Sequence, residues 1–164
     1  LKDATWQDKH WRTLQQNYGG CPHFARYRSF FEEFYRGRRW PMLSELNHHL
    51  IRHIAREFLG IGTDFADSRS FALGGQKQDR LLELLGRVEA QRYVSGPAAR
   101  SYIEPGRFSA AGIELVWKDY SGYPEYPQRF PPFEHGVTIL DLLFNVGPDA
   151  PWYIWGWRDG PLAS

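Results

Sequence analysis

The first third of the chain carries large apolar side chains at helical spacing, and this pattern constrains the fold more than any other feature. It predicts three helices, over residues 5–18, 22–36 and about 42–59, each ended by glycine or followed by a proline break. The second of these places five rings on one broad face: Phe24, Tyr27, Phe30, Phe31 and Phe34. We therefore expect a helical N-terminal part with a core of aromatic rings.

Beyond residue 60 the pattern changes and favours an α/β fold. Short apolar runs predict strands at 63–68, at Tyr93-Val94 and at 113–117, and Tyr93-Val94 is expected to be an interior strand. Helices are predicted between them, over the leucines of 81–88 and over 97–104. Strands that alternate with helices require crossovers, so we expect a small, mostly parallel sheet on which the helical N-terminal part packs.

Composition excludes several classes of protein. A chain of 164 residues with a net charge of +1 and no basic run lacks the basic surface that binding of nucleic acid requires. No window approaches 18 apolar residues, so no integral membrane segment is expected. Its single cysteine, Cys21, excludes an internal disulfide and a thiolate zinc cage, and favours a reducing compartment such as the cytoplasm. The sequence leaves open the cofactor and the oligomeric state.

Five blocks of residues stand in the same order as in a known family. They are Trp6–Trp11 with Asn17-Tyr18 and Pro22–Phe24, Leu46–Ile61, Tyr93–Pro97 with Tyr102, Tyr126–Gln128, and Thr138–Pro148. Together they resemble the WbqC-like family, which is tied to bacterial surface-polysaccharide gene clusters. Family members usually begin with a His-Gln-Pro-Asn-Tyr type of segment and a second segment with Asn and Arg. The resemblance therefore implies one domain, residues 1–164, that lacks the N-terminal segment of the family.

The resemblance implies an activity as well. It is the transfer of glycine, another aminoacyl unit or another acyl group onto an amino sugar during O-antigen biosynthesis. The partner would be a small-molecule substrate, either an activated sugar or an acyl donor. The alternative is a non-catalytic binding or scaffold protein of the same pathway, which the aromatic content of 16% and the lack of a complete catalytic motif favour.

Two residues are candidates for catalysis. His10 carries an imidazole, the side chain that most often serves as a general base, and the alternative is that it is a capping or packing residue. Asp141 shares one face of a predicted helix over 139–145 with Asn145. Asp141 either meets a ligand or only closes a capping box with Thr138, and Asn145 either binds substrate or only caps the helix end.

Six residues are candidates for binding substrate. Ser95 and Gly96 follow a predicted strand and precede a helix, which is where open α/β sheets bind ligands, and Tyr102 follows them. Tyr126 and Gln128 lie in a loop rich in Pro and Tyr. We expect one crevice to be lined by Ser95, Gly96, Tyr102, Asp141 and Asn145, with His10 at its rim. The alternatives are an ordinary turn at Ser95 and Gly96 and a structured surface loop at Tyr126.

Charged and metal-binding side chains add further hypotheses. Lys77 and Arg80 follow Gly74-Gly75 and could clamp a phosphate group, or they could be ordinary surface charges. Three residues at i, i+4 and i+8 could ligate a metal on one helix face: Glu45, His49 and His53. A solvated face explains these three better, so no metal site is predicted.

Overall fold

The computed structural model describes residues 5–160, which divide into two compact units. The helical unit combines residues 5–63 with 123–160, and the sheet unit comprises residues 64–122. The five blocks that resemble the WbqC-like family are distributed over both units. That residues 1–164 form a single domain stays a prediction.

Three helices form the N-terminal part of the helical unit, as predicted. They are α1 (Thr5–Tyr18), α2 (Phe24–Glu32) and α3 (Leu43–His53). Both α2 and α3 continue into a π-helical turn, at Glu33–Gly37 and at Ile54–Phe58. Because their apolar residues recur at the helical period, each helix presents one stripe that must be buried.

The core of the helical unit is closed by the C-terminal segment of the chain. Two helices formed by residues far along the sequence, designated α6 (Ile139–Val146) and α7 (Ala150–Ile154) in chain order, supply this cover. Leu143 and Phe144 are fully buried. The ring of Phe144 lies 5.1 Å from that of Phe24 and 5.5 Å from that of Phe31. The aromatic face predicted for α2 therefore packs on α6.

A second group of rings surrounds two histidines of α3. The ring of His53 stacks on Phe30 at a centroid distance of 3.7 Å and an angle of 4°. His49 stacks on Phe34 at 6.0 Å and contacts Trp40 at 5.2 Å. Both histidines are half-buried, so a solvated face describes Glu45 but is wrong for His49 and His53. The apolar stripe of α3 is wider than its aliphatic residues indicate.

The sheet unit confirms an α/β fold with a small parallel sheet. Its elements are α4 (Lys77–Arg87), β1 (Arg92–Ser95), α5 (Pro105–Ala110) and β2 (Glu114–Trp117). β1 and β2 pair in parallel, with Arg92 opposite Glu114 and Ser95 opposite Trp117. The crossover between them passes through α5 and places the fully buried Phe108 under the sheet, where Tyr93 stacks on it at 5.6 Å.

Three expectations about the sheet unit are wrong. Residues 63–67 form no strand, and a 3₁₀ turn at Ser68–Phe71 follows them. β1 is not an interior strand, because the sheet within residues 5–160 has two strands and Val94 is 54% exposed. The helix expected over 97–104 is a 3₁₀ turn at Pro97–Ser101. Short apolar runs do not distinguish a buried strand from a turn that buries one side chain.

The histidines of α3 predict a pH dependence of stability. Burial lowers the pKa of both His49 and His53, because the charged ring is disfavoured among aromatic neighbours. An unfolded histidine binds its proton near pH 6.5, so stability should be fully present above about pH 6.5 and be lost as the pH falls through the lower folded pKa. The melting temperature should therefore drop between about pH 7.5 and about pH 5.5.

A matched pair of variants assigns this effect. His53→Phe keeps a flat ring against Phe30 but removes the titrating group, so its melting temperature should fall less on acidification. His48→Gln, at an exposed position of the same helix, should follow the wild type. An equal fall in all three proteins would contradict the assignment.

Candidate functional site

A buried carboxylate lies at the centre of the candidate site in the helical unit. Asp141 lies on the apolar helix α6 and is only 8% exposed, although its side chain is a carboxylate. Its Oδ1 atom accepts hydrogen bonds from the hydroxyl of Tyr126 at 2.8 Å and the amide of Gln128 at 3.0 Å. The amide of Asn145 donates to the same oxygen at 3.3 Å. Four of the predicted site residues are thereby brought together.

The start of α6 explains the position of the Asp141 side chain. The side chain of Thr138 caps the helix by accepting a hydrogen bond from the Leu140 N–H at 3.2 Å, as the sequence predicts. The bonds that the Asp141 carboxylate makes run instead to the preceding loop and to the next turn of α6. The Asn145 amide also donates to the Asp141 carbonyl at 2.9 Å, which fixes the Asn145 side chain against the preceding turn of α6.

Gln128 fastens the Pro- and Tyr-rich loop to α6. Besides its bond to Asp141, its amide donates to the Glu134 carbonyl at 2.9 Å and accepts from the Glu134 N–H at 2.7 Å. The ring of Tyr126 packs edge-on against Phe133 at 5.1 Å and Tyr153 at 5.6 Å. These contacts fix the positions of the Tyr126 and Gln128 side chains.

Tyr18 completes the surroundings of the carboxylate. Burial, together with the charge of Asp141 and a hydrogen bond to it, raises the pKa of Tyr18 to about 12. Burial also raises the pKa of Tyr126, and its bond to Asp141 acts in the same direction. Both phenols therefore stay protonated at neutral pH and act as hydrogen-bond donors. From the sequence, Tyr18 was singled out only within the first block of the family resemblance.

Arg129 is a further residue that sequence reasoning missed. A Cβ atom at Gly20 would lie 2.7 Å from Nη1 of Arg129, so the guanidinium group of Arg129 lies close to the backbone at Gly20. Burial raises the pKa of the Cys21 thiol, whereas the charge and a hydrogen bond of Arg129 lower it. The signal that could have found Arg129 is its place directly after Gln128 in the loop.

His10 lies on the exposed side of α1. Its ring contacts Trp6 at a centroid distance of 5.1 Å and Tyr35 at 6.1 Å, both edge-on. It precedes Tyr18 by eight residues, which corresponds to about 12 Å of helix length. A catalytic role for His10 stays a prediction.

The remaining substrate-binding candidates lie in the sheet unit. Ser95 ends β1 and is 5% exposed, and Gly96 leads into the 3₁₀ turn at Pro97–Ser101. Tyr102 follows that turn and is 73% exposed. Since Asp141, Asn145 and His10 belong to the helical unit, one crevice shared by all six residues stays a prediction.

A cavity of about 760 Å³ lies within the sheet unit, between the start of α4 and the segment that leads into α5. Lys77 and Tyr102 line it, and Arg107 supplies a second cation that the sequence reasoning missed. Nη1 of Arg80 donates to the Leu73 carbonyl at 2.8 Å, which holds this side chain against the preceding loop. Binding of phosphate by Lys77 and Arg80 stays a prediction.

Residues 5–160 contain neither a cluster of metal ligands nor a membrane-spanning helix. No three His, Cys, Asp or Glu side chains in this range lie together in an arrangement that could hold a metal ion. None of the helices described is long and apolar enough to cross a membrane.

The contacts around Asp141 join separate parts of the sequence. Tyr18, the pair Tyr126 and Gln128, and the pair Asp141 and Asn145 come from three of the five blocks that resemble the WbqC-like family. The sequence model of the WbqC-like protein family matches residues 1–153. The chain belongs to the WbqC-like family.

A relative of this WbqC-like chain carries no named function. The chain is 42% identical over 155 residues to the "Uncharacterized protein Rv1507c" of Mycobacterium tuberculosis (strain ATCC 25618 / H37Rv). The match covers 94% of this chain and 67% of the relative. No solved structure matches the chain significantly. The comparisons therefore establish the family and leave the reaction to be inferred from the site.

The bonds to Asp141 predict the stability of one conservative variant. Tyr126→Phe removes a hydroxyl that donates to a buried carboxylate, so it should lower the free energy of unfolding by about 1–2 kcal/mol. Tyr120→Phe removes the same group from a side chain that is 62% exposed and should change stability little. Urea denaturation of both variants measures the difference, and equal stabilities would show that the Tyr126 bond contributes nothing.

Proposed function

We propose that this WbqC-like protein transfers an acyl or aminoacyl group onto an amino sugar during assembly of a bacterial surface polysaccharide such as O-antigen. The observation that carries the proposal is the buried Asp141 carboxylate, surrounded by side chains from three family blocks. Burying a carboxylate on an apolar helix costs free energy unless hydrogen bonds compensate for the lost water. Buried ionisable groups of this kind are therefore candidates for functional sites.

The chemistry of amide formation explains what a carboxylate would contribute. The amine of an amino sugar is protonated near neutral pH and becomes a nucleophile only after it loses a proton. With that first proton lost to solvent, the nitrogen bonds to the acyl carbon, the leaving group departs as an anion with the electron pair of its broken bond to that carbon, and the second amine proton passes to a base. Asp141 would attract the ammonium group and accept this proton, and Tyr18, Tyr126 and Asn145 would keep the carboxylate oriented.

The other candidate residues have roles in the same proposal. His10 would act as a second base at the rim, and Tyr126 and Gln128 would contact the polar groups of the substrate. Ser95, Gly96 and Tyr102 would bind substrate. We place the reaction in the cytoplasm, since Cys21 is a free thiol and activated donors are made there.

A second candidate function is binding without chemistry, as a ligand-binding or scaffold protein of the same pathway. It is favoured by the bonding of Asp141, because Oδ1 already accepts three hydrogen bonds from the protein. A network of this kind can serve only to fix the loop on α6. In that case the carboxylate would contribute stability and have no role in transfer.

Ligand screening with mass detection separates these two functions. Nucleotide-linked amino sugars and acyl thioesters are screened by thermal shift, where a ligand at 100 times its Kd stabilises by about 2.7 kcal/mol. Donor and acceptor are then incubated together, and the amide product is detected by its mass. Asp141→Asn keeps the shape of the side chain and should abolish the product, while Glu45→Gln at an exposed position should retain it.

The outcomes are distinct. Product formation by the wild type and by Glu45→Gln, with none from Asp141→Asn in its folded form, supports the transferase. Binding of an amino sugar with no product from any donor supports the binding protein. Equal product from Asp141→Asn and the wild type would remove Asp141 from the chemistry.

A further inference from the structure

The cavity of the sheet unit has walls that the protein itself holds in place. Gln78 donates to the Glu104 carbonyl at 3.0 Å and accepts from the Glu104 N–H at 3.0 Å, so the two walls are joined by a reciprocal pair of bonds. Nη2 of Arg107 donates to the carboxylate of Asp79 across the same gap. A cavity of about 760 Å³ between tied walls falls in the size range of sites for small molecules, about 300–1,000 Å³.

The lining of this cavity combines an open aromatic ring with apolar and planar polar groups. Tyr102 is 73% exposed, so most of its ring is available to a ligand. Leu81 and Ile103 supply apolar surface, and Gln76 and Gln78 supply amides that donate and accept. A ligand that fits must present both an apolar face and several hydrogen-bonding groups.

The charges of the lining argue against an anion. Two cations, Lys77 and Arg107, stand beside two carboxylates, Asp79 and Glu104, so their formal charges sum to zero. Arg107 is also paired with Asp79 in the structure. A phosphate placed here would meet both carboxylates, whereas a neutral ligand with hydroxyl groups could bond to cations and carboxylates alike.

We propose that this cavity binds a neutral sugar ring of a glycan. A pyranose ring has a face of C–H groups that packs on an aromatic ring and an edge of hydroxyls that both donate and accept hydrogen bonds. Tyr102 would stack on that face, and Gln78, Glu104 and Lys77 would bond to the hydroxyls. Binding of a sugar ring to the sheet unit requires no transfer reaction, so it can occur whether or not Asp141 takes part in transfer.

Titration of the isotope-labelled protein followed by NMR tests this site. The probes are the methyl glycosides of glucose, galactose, mannose and N-acetylglucosamine, with inorganic pyrophosphate as the anionic comparison. We expect at least one glycoside to shift the amide signals of residues 76–81 and 102–107, and pyrophosphate to bind there more weakly. Tyr102→Ala should weaken binding of that glycoside about tenfold, since an aromatic contact contributes up to about 1.5 kcal/mol beyond its buried area.

Two controls keep the result specific. Tyr120→Ala removes an equally large ring, 62% exposed, that belongs to the same unit but does not line the cavity, and it should bind as the wild type does. Glu45→Gln, at an exposed position of the helical unit, should also bind normally. The titration needs no acyl donor and detects no product, so a failed transferase assay leaves its result intact. Binding by no glycoside, shifts confined to other residues, unchanged binding by Tyr102→Ala, or tighter binding of pyrophosphate would each overturn the proposal.

Discussion

The burial of one carboxylate on an apolar helix organises the helical unit. Asp141 can stay on α6 only if donors replace the water it loses, and the donors outside α6 tie other parts of the chain to this helix. Tyr126 and Gln128 bring in the loop, Asn145 comes from the next turn, and Tyr18 brings the end of α1. The requirement to satisfy one buried group thus joins residues far apart in sequence.

The same helix provides the apolar contacts on which the N-terminal helices pack. Phe144 lies among the rings of Tyr18, Phe24 and Phe31, while Asp141 and Asn145, each within one turn of Phe144, belong to the polar network. An apolar core excludes water from the neighbouring carboxylate, which strengthens its electrostatic interactions. Packing and polar chemistry are therefore coupled in α6, and a change in either alters the other.

The sheet unit has a different construction, with a small core under a two-stranded sheet and a cavity beside it. Phe108 and Ile113 of the crossover are buried in this core. The cavity lies between α4 and the start of α5. Its walls are joined by the side chain of Gln78 and by the pair of Arg107 and Asp79. Tyr102 is exposed while Phe108 is fully buried, so the unit offers an aromatic surface without losing its core.

Local pattern determined much of this protein from the sequence alone. The period of the apolar residues predicted α1 to α3, Thr138 predicted the start of α6, and five blocks predicted the family. Only the tertiary structure decided that Asp141 bonds to Tyr126, 15 residues away, and that His49 and His53 stack on Phe34 and Phe30. Helix period and caps act within one or two turns, whereas the partner of a buried side chain depends on how distant segments pack.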